Sequence, residues 1–289
     1  MEARGRRRLR RWYRLQGRHQ LPWRLTRDPY AVLVSEVMLQ QTQVERVVPY
    51  YEGWLARWPD ARTLAAASPA DVIRAWGGPG YNRRAVQLHR AVCAIVEANG
   101  GAVPTEPASL ARLPGIGPYT AAAVACFAGG RREVVLDTNV ARVVARGWLG
   151  VPDHRNVAPR TVRDAAEALL PWVGARDHNL ALMDLGAMVC RAREPRCEAC
   201  PLRDGCEWRG AGYLLSGSAS QRTRPPRFEE TTRFARGRIL QLLRTDERLT
   251  AEEIAAELPA PHRRRCGEYL AALERDGLVT RHRGAWTLP

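Results

Sequence analysis

Four cysteines, Cys190, Cys197, Cys200 and Cys206, stand in the pattern C-x6-C-x2-C-x5-C. Four thiolates so close in sequence can close around one compact metal centre. An all-cysteine zinc site ordinarily uses two paired C-x2-C knuckles. This pattern has one such pair with longer arms on either side, which favours a [4Fe-4S] cluster over zinc, the alternative. All four ligands would come from the protein, so the centre would be structural or electronic, with no open coordination site. Arg191, Arg193, Arg196 and Arg203 lie between the ligands and would offer cations to a polyanion. Cys93, Cys126 and Cys266 stand alone among apolar or basic neighbours and read as buried or incidental.

Two acids have neighbours that suit chemistry. Glu36 lies in a helical stretch beside Val32, Leu33 and Leu39 at offsets of minus four, minus three and plus three. A carboxyl on that face is partly desolvated and suits a general acid, although a Glu paired with an Arg is the plainer reading. Asp137, in "VVLDTNVARVVAR", follows an apolar, strand-like run and precedes a helix. It reads as an N-cap, and a carboxylate held that rigidly could also stabilise a sugar oxocarbenium ion, with Asn139 orienting it. Between these acids, "LARLPGIGPYTAAAV" places Gly115 and Gly117 around Ile116 between two short helices. Such a turn exposes backbone N–H groups ahead of a positive helix end and can grip a phosphate without reading sequence.

Composition narrows the partner. The chain has 289 residues and a net charge of +15, with ten arginines in the first 28 residues against Glu2 and Asp28. That basic arm, interleaved with Trp12, Tyr13 and His19, suits nucleic acid. Every one of the 45 basic residues is Arg. With no Lys, no side-chain amine can form a Schiff base, and only the N-terminal amine remains. No apolar run approaches the roughly 18 residues of a membrane helix, and no signal core follows the arm, so a cytoplasmic, nucleoid-associated monomer is expected. Free cysteines rather than a disulfide scaffold fit that compartment.

The elements that must position these groups are helical. Asp28–Pro29 opens a helix with an apolar stripe through Val32, Leu33, Val37 and Leu39. Others are expected near Val44–Trp58, over 61–76 and 83–99, within 107–128, after Asp137, and over 160–171 and 178–190. The fold class is therefore all-α, organised as an arm (1–20), a core (21–208) carrying the cysteine loop (190–206), and a Gly, Ser, Arg and Pro-rich linker (209–229). A winged-helix-like α+β segment (230–289) closes the chain. It has a helix marked by Phe234, Ile239, Leu240 and Leu243, two further helices, and a hairpin around Arg283–Gly284. A small helical interaction domain is the alternative for that segment.

The strings "LPWR", "DPYAVLVSEVMLQQTQVERVVPYYEGW", "LPGIGPYTAAAV", "LDTNVARVVAR" and "LALMDLGAMVC" closely resemble the MutY-type adenine DNA glycosylases. These belong to the helix-hairpin-helix superfamily that includes endonuclease III, and the resemblance covers about residues 20–208. It implies a two-lobed helix-hairpin-helix core and a [4Fe-4S] cluster. It implies a monofunctional enzyme of base excision repair that removes adenine mispaired with 8-oxoguanine or guanine in double-stranded DNA. Glu36 would protonate the base, and Asp137 would stabilise the sugar cation. Tyr119, Asn139, Trp23, Arg24, Leu39, Val44 and Asp184 match adenine-pocket or supporting positions. Gln41 and Tyr81 match residues that enter the base stack when adenine is flipped out. Bifunctional relatives place a Lys where Tyr119 stands, so strand cleavage should be absent.

The chain also departs from that pattern. "GGPGYNRR" has Pro79 and Asn82 where Leu and a second Tyr are usual, and Thr138 follows Asp137 where Gly is frequent. No Phe-Ser-His-type loop for 8-oxoguanine occurs. Two other functions remain: a thymine or uracil mismatch glycosylase of the same superfamily, and a non-catalytic iron–sulfur DNA-binding regulator.

Overall fold

The computed structural model describes residues 3–77, 81–213 and 227–289. Met1, Glu2, Pro79 and most of the expected linker, residues 214–226, lie outside the described residues. Described residues of 1–32, 105–111 and 117–219 pack as one unit, and those of 33–104, 112–116 and 220–289 as a second. No described helix is long and apolar enough to cross a membrane.

The first unit is built around two helices, Pro118–Phe127 and Thr138–Trp148. Every residue from Thr120 to Phe127 is buried, which the small side chains of "TAAAVACF" permit. The Thr138–Trp148 helix packs on Pro159–Leu169, Ala175–Asp184 and Glu207–Gly210. The expected basic arm is itself a helix, Ala3–Gln16, lying against Ala175–Asp184. Leu9, Trp12 and Tyr13 are buried there. Trp12 and Tyr13, read from sequence as interleaved for a polyanion, therefore serve packing on the helix's apolar face, whereas His19, beyond the helix, is exposed.

The apolar, strand-like run just before Asp137 forms no strand, in keeping with the all-α body. Asn179 takes the place of a neighbouring strand: its Oδ1 accepts from Val135 N at 3.1 Å and its Nδ2 donates to Glu133 O at 2.9 Å. Buried backbone groups must be paired, and here one side chain does it. The Ala175–Asp184 helix then loosens into a π-turn over Leu185–Val189, immediately before Cys190.

Asp28 caps the Pro29–Leu39 helix, its carboxyl accepting from Tyr30 N and Ala31 N at 3.2 Å. This helix has no single apolar stripe. Residues 31–38 are all buried, as expected of a helix that is apolar all round. The stretch expected to be helical over 61–76 is broken into Ala61–Ala65 and Pro69–Trp76, because Ser68 caps a new helix with Pro69 in its first turn. The long Arg83–Asn99 helix follows.

The C-terminal segment has the order expected of a winged helix. Helix Thr232–Thr245 is followed by β1 (Leu249–Thr250), helices Ala251–Ala256, Ala260–Arg263 and Cys266–Arg275, then β2 (Thr280–His282) and β3 (Ala285–Thr287). The antiparallel order is β1-β3-β2, with Trp286 opposite both Leu249 and Arg281. Arg283 and Gly284 turn the hairpin with φ of 49° and 80°, as a two-residue turn of this kind requires. Ile239, Leu243, Ile254, Leu270 and Trp286 form a core that Ile73 and Val86 join.

Candidate active site and cysteine centre

Glu36 is buried, 6% exposed, beside Ser35 at 1%. A carboxyl inside an otherwise apolar helix is costly unless it is partnered or used. The end of that helix is held from a distance. Arg84 donates to Val37 O at 2.7 Å, Met38 O at 3.1 Å and Gln40 O, and to Thr42 Oγ1 at 3.1 Å. It thereby answers carbonyls that any helix end leaves open. Burial pushes the Arg84 pKa down to about 10, still charged at neutral pH. The turn so fixed contains Gln41 at φ 56°, and Tyr81 sits at φ 48°. Left-handed backbone in non-glycine residues is uncommon and clusters where function needs it. Both residues that the resemblance assigns to the DNA stack are in it. Leu39 and Val44, flanking the turn, are half-buried.

The hairpin glycines are not equivalent. Gly115 has φ 74°, and a Cβ there would come within 2.6 Å of Gln87 Cβ. Gly117 is extended and caps the Pro118–Phe127 helix. Both are exposed, and Tyr119 is half-buried in the first turn of that helix.

In the first unit, Asp137 caps its helix as expected. Oδ1 accepts from Val140 N at 2.6 Å, and Oδ2 accepts from Asn139 Nδ2 at 2.9 Å. The chain of contacts continues through Arg142, which donates to Asn139 Oδ1 (2.8 Å), Gly186 O (2.6 Å) and Cys190 O (2.7 Å). The orienting amide is thus tied to the first cysteine. Gly186 makes this approach feasible, since a Cβ there would meet Asn139 Cβ at 2.7 Å.

Asp184, fully buried, is clasped by two arginines. Arg24 donates two hydrogen bonds, Nη1 to Oδ2 at 2.6 Å and Nη2 to Oδ1 at 2.8 Å. Arg18 adds its backbone N–H at 2.9 Å and its Nε at 2.7 Å. Burial pushes the Asp184 carboxyl up, but the bonds and charge of Arg24 and Arg18 outweigh it and hold the group below the usual range. Of the residues that the resemblance matches to the base pocket, Arg24 and Asp184 are in contact, and Trp23 is buried.

Cys190, Cys197, Cys200 and Cys206 line one cavity with Arg146, Arg196 and Trp208, and no disulfide joins them. Arg146, 6% exposed, donates from Nη1 to Cys190 Sγ at 3.6 Å and to Arg191 O at 2.8 Å, with its guanidinium 4.5 Å from the Trp208 ring. The donor set and a buried cation beside it fit a negatively charged thiolate centre. Among the described residues no three His, Cys, Asp or Glu side chains are placed to hold a single metal ion. Sequence reading passed over Arg18, Arg84, Arg142 and Arg146. Only the last two left a signal, being four apart on an otherwise apolar helix.

The chain matches the HhH-GPD superfamily of base excision DNA repair proteins over residues 34–171. It is 46% identical over 277 residues to an adenine DNA glycosylase of Mycobacterium tuberculosis, covering 93% of this chain and 88% of the relative. It is 40% identical to an adenine DNA glycosylase of Homo sapiens, covering 72% of this chain and 41% of that relative. A solved thermostable thymine-DNA glycosylase superposes with a TM-score of 0.65 at 30% identity, covering 71% of this chain and 94% of the other. Endonuclease III in a DNA complex, at 20% identity and a TM-score of 0.61, shares the fold and covers 74% of this chain and all of its own.

Proposed function

The chain belongs to the adenine DNA glycosylases of the helix-hairpin-helix superfamily, and on that premise we propose that it hydrolyses the N-glycosidic bond of adenine opposite 8-oxoguanine or guanine by a monofunctional route. Glu36 supplies the proton that makes the flipped-out adenine a leaving group. Asp137 supplies fixed negative charge to the sugar cation that remains until water attacks it. The observation that carries this reading is the fixing of both Asp137 oxygens, one by Val140 N–H and one by Asn139. A preorganised carboxylate needs no rearrangement when charge develops. Tyr119 and Asn139 support these acids. The family resemblance assigns Trp23, Leu39 and Val44 to contact with the adenine, and Arg24 with Asp184 to its support. Gln41 and Tyr81 enter the stack, and the Gly115–Gly117 turn grips a phosphate.

No Lys is present to carry strand cleavage, so the product is an intact abasic strand. Cys190, Cys197, Cys200 and Cys206 would hold a [4Fe-4S] cluster, which when bound supplies an all-thiolate brace for the loop. Zinc suits them less, since the spacing holds one C-x2-C pair rather than two.

Single-turnover excision on A:8-oxoguanine, A:G, T:G and U:G duplexes tests the reading. Adenine release from the first two, lost by roughly a hundredfold or more in Glu36→Gln with DNA binding retained, is expected. Release of thymine or uracil but never adenine would overturn the substrate. Full activity in Glu36→Gln would overturn the mechanism.

A further inference from the structure

A cavity of about 910 Å³, whose lining does not include Glu36, opens in the second unit. One wall is the Gln40–Gln43 turn with Tyr81 and Arg83, and the other is Phe228, at the end of the expected linker, with Arg233 and Arg236 of the C-terminal segment. The two walls are joined. Arg233 places its guanidinium 4.5 Å from the Tyr81 ring centroid, and Arg84 lies 5.2 Å from the same ring. Arg244 donates to Ile73 O at 3.1 Å and to Asn82 Oδ1 at 2.7 Å. Ile73 and Val86 are buried in the C-terminal core.

The charge around the cavity is one-sided. Arg46, Arg83, Arg84, Arg233 and Arg236 line it against a single carboxylate, Asp276, which pairs with Arg236 and, at 3.7 Å, with Arg83. Phe228 stands in the same lining, 56% exposed. Guanidiniums for phosphates and an exposed ring for bases are the two parts of a nucleic-acid strand site. A cation over an aromatic face also holds that ring in place.

We propose that the C-terminal segment extends the DNA-binding face at this cavity, where Arg233 positions Tyr81 and, with Phe228 and Arg46, seats a stretch of DNA strand. The proposal rests on the reading that Tyr81 enters the base stack. It gives the winged-helix-like segment a part in substrate engagement that neither its fold nor the core alone implies.

The test is binding of the full chain to a duplex carrying an abasic analogue opposite 8-oxoguanine, which cannot be cut, over a range of salt concentrations. Arg233→Ala and Phe228→Ala are each expected to raise Kd about tenfold. Arg233→Ala should also lower the slope of log K against log salt by about one, which a merely structural residue would not do, and Arg233→Lys should restore that slope. Arg238→Ala removes the same charge from the same helix, where Arg238 faces Glu257 rather than the cavity, and should change neither quantity. Parental affinity and slope in both Arg233→Ala and Phe228→Ala would overturn the proposal. Tyr81→Ala separates the two levels: if it weakens binding while those variants do not, only this inference falls. If Tyr81→Ala also binds as the parent does, the stack-entry reading falls with it.

Discussion

Asp137 takes its hydrogen bonds from residues two and three positions away, one an amide side chain and one a backbone N–H. Asp184 takes its own from Arg24 and Arg18, 160 and 166 positions away. Both aspartates belong to the first unit, and both are held at each carboxyl oxygen. The difference lies in the charge of the partners. Asp184 is neutralised by two guanidiniums and has no exposed side-chain surface. Asp137 is oriented by neutral donors, with no ion pair among the described residues, and remains partly exposed. A carboxylate oriented without being neutralised keeps its field for something else, which under the proposed function is a sugar cation. One already matched by buried cations is spent on the fold.

Removing the charge of Asp184 should be the larger disturbance. Asp184→Asn leaves the Arg24 side chain, 6% exposed, buried without a counter-charge, while Arg18, at 25%, can turn toward water. Breaking a buried pair in this way costs about 3–5 kcal/mol. A urea midpoint that falls at unchanged slope would show it. Stability within a fraction of a kilocalorie of the parent would make Asp184 a pocket residue rather than a brace.

The same contrast explains what could be read from residues alone. The Asp137 cap, the Asp28 cap, the Arg283–Gly284 turn and the cysteine quartet all depend on spacings of a few positions, and each carries its own local bonding rule. The Asp184 clasp depends on the Ala3–Gln16 helix delivering Arg18, which no spacing encodes. The apolar run just before Asp137 has a strand-like pattern, but its neighbouring backbone groups bond to the Asn179 side chain instead. Trp12 and Tyr13 misled through their basic neighbours: the arginines face solvent and the rings face inward. Arg233 over Tyr81 joins segments about 150 positions apart by stacking, an interaction with no sequence period.

A sharper cut comes from comparing two substitutions at Asp137. Asn caps a helix nearly as well as Asp, so Asp137→Asn should melt with the parent, whereas Asp137→Ala should lose about 1 kcal/mol. Both should lose roughly a hundred- to a thousandfold in single-turnover excision, the range found when one preorganised electrostatic group is removed. Excision that follows stability instead, intact in Asn and reduced in Ala, would make Asp137 a cap and nothing more.

The smallest expected effect is in acid. The folded Asp184 pKa lies below its ordinary value because the bonds to Arg24 and Arg18 outweigh burial. A depressed carboxyl contributes stability that is fully present above the unfolded pKa of about 3.9 and is lost as pH falls through the folded value. The stability gap between the parent and Asp184→Asn should therefore be constant from neutral pH down to about 5 and narrow below about 4. A gap for Asp184→Asn that stays flat to the lowest pH at which the parent folds would mean that the two arginines do not hold the carboxyl ionised, and the distinction between the two aspartates would rest on burial alone.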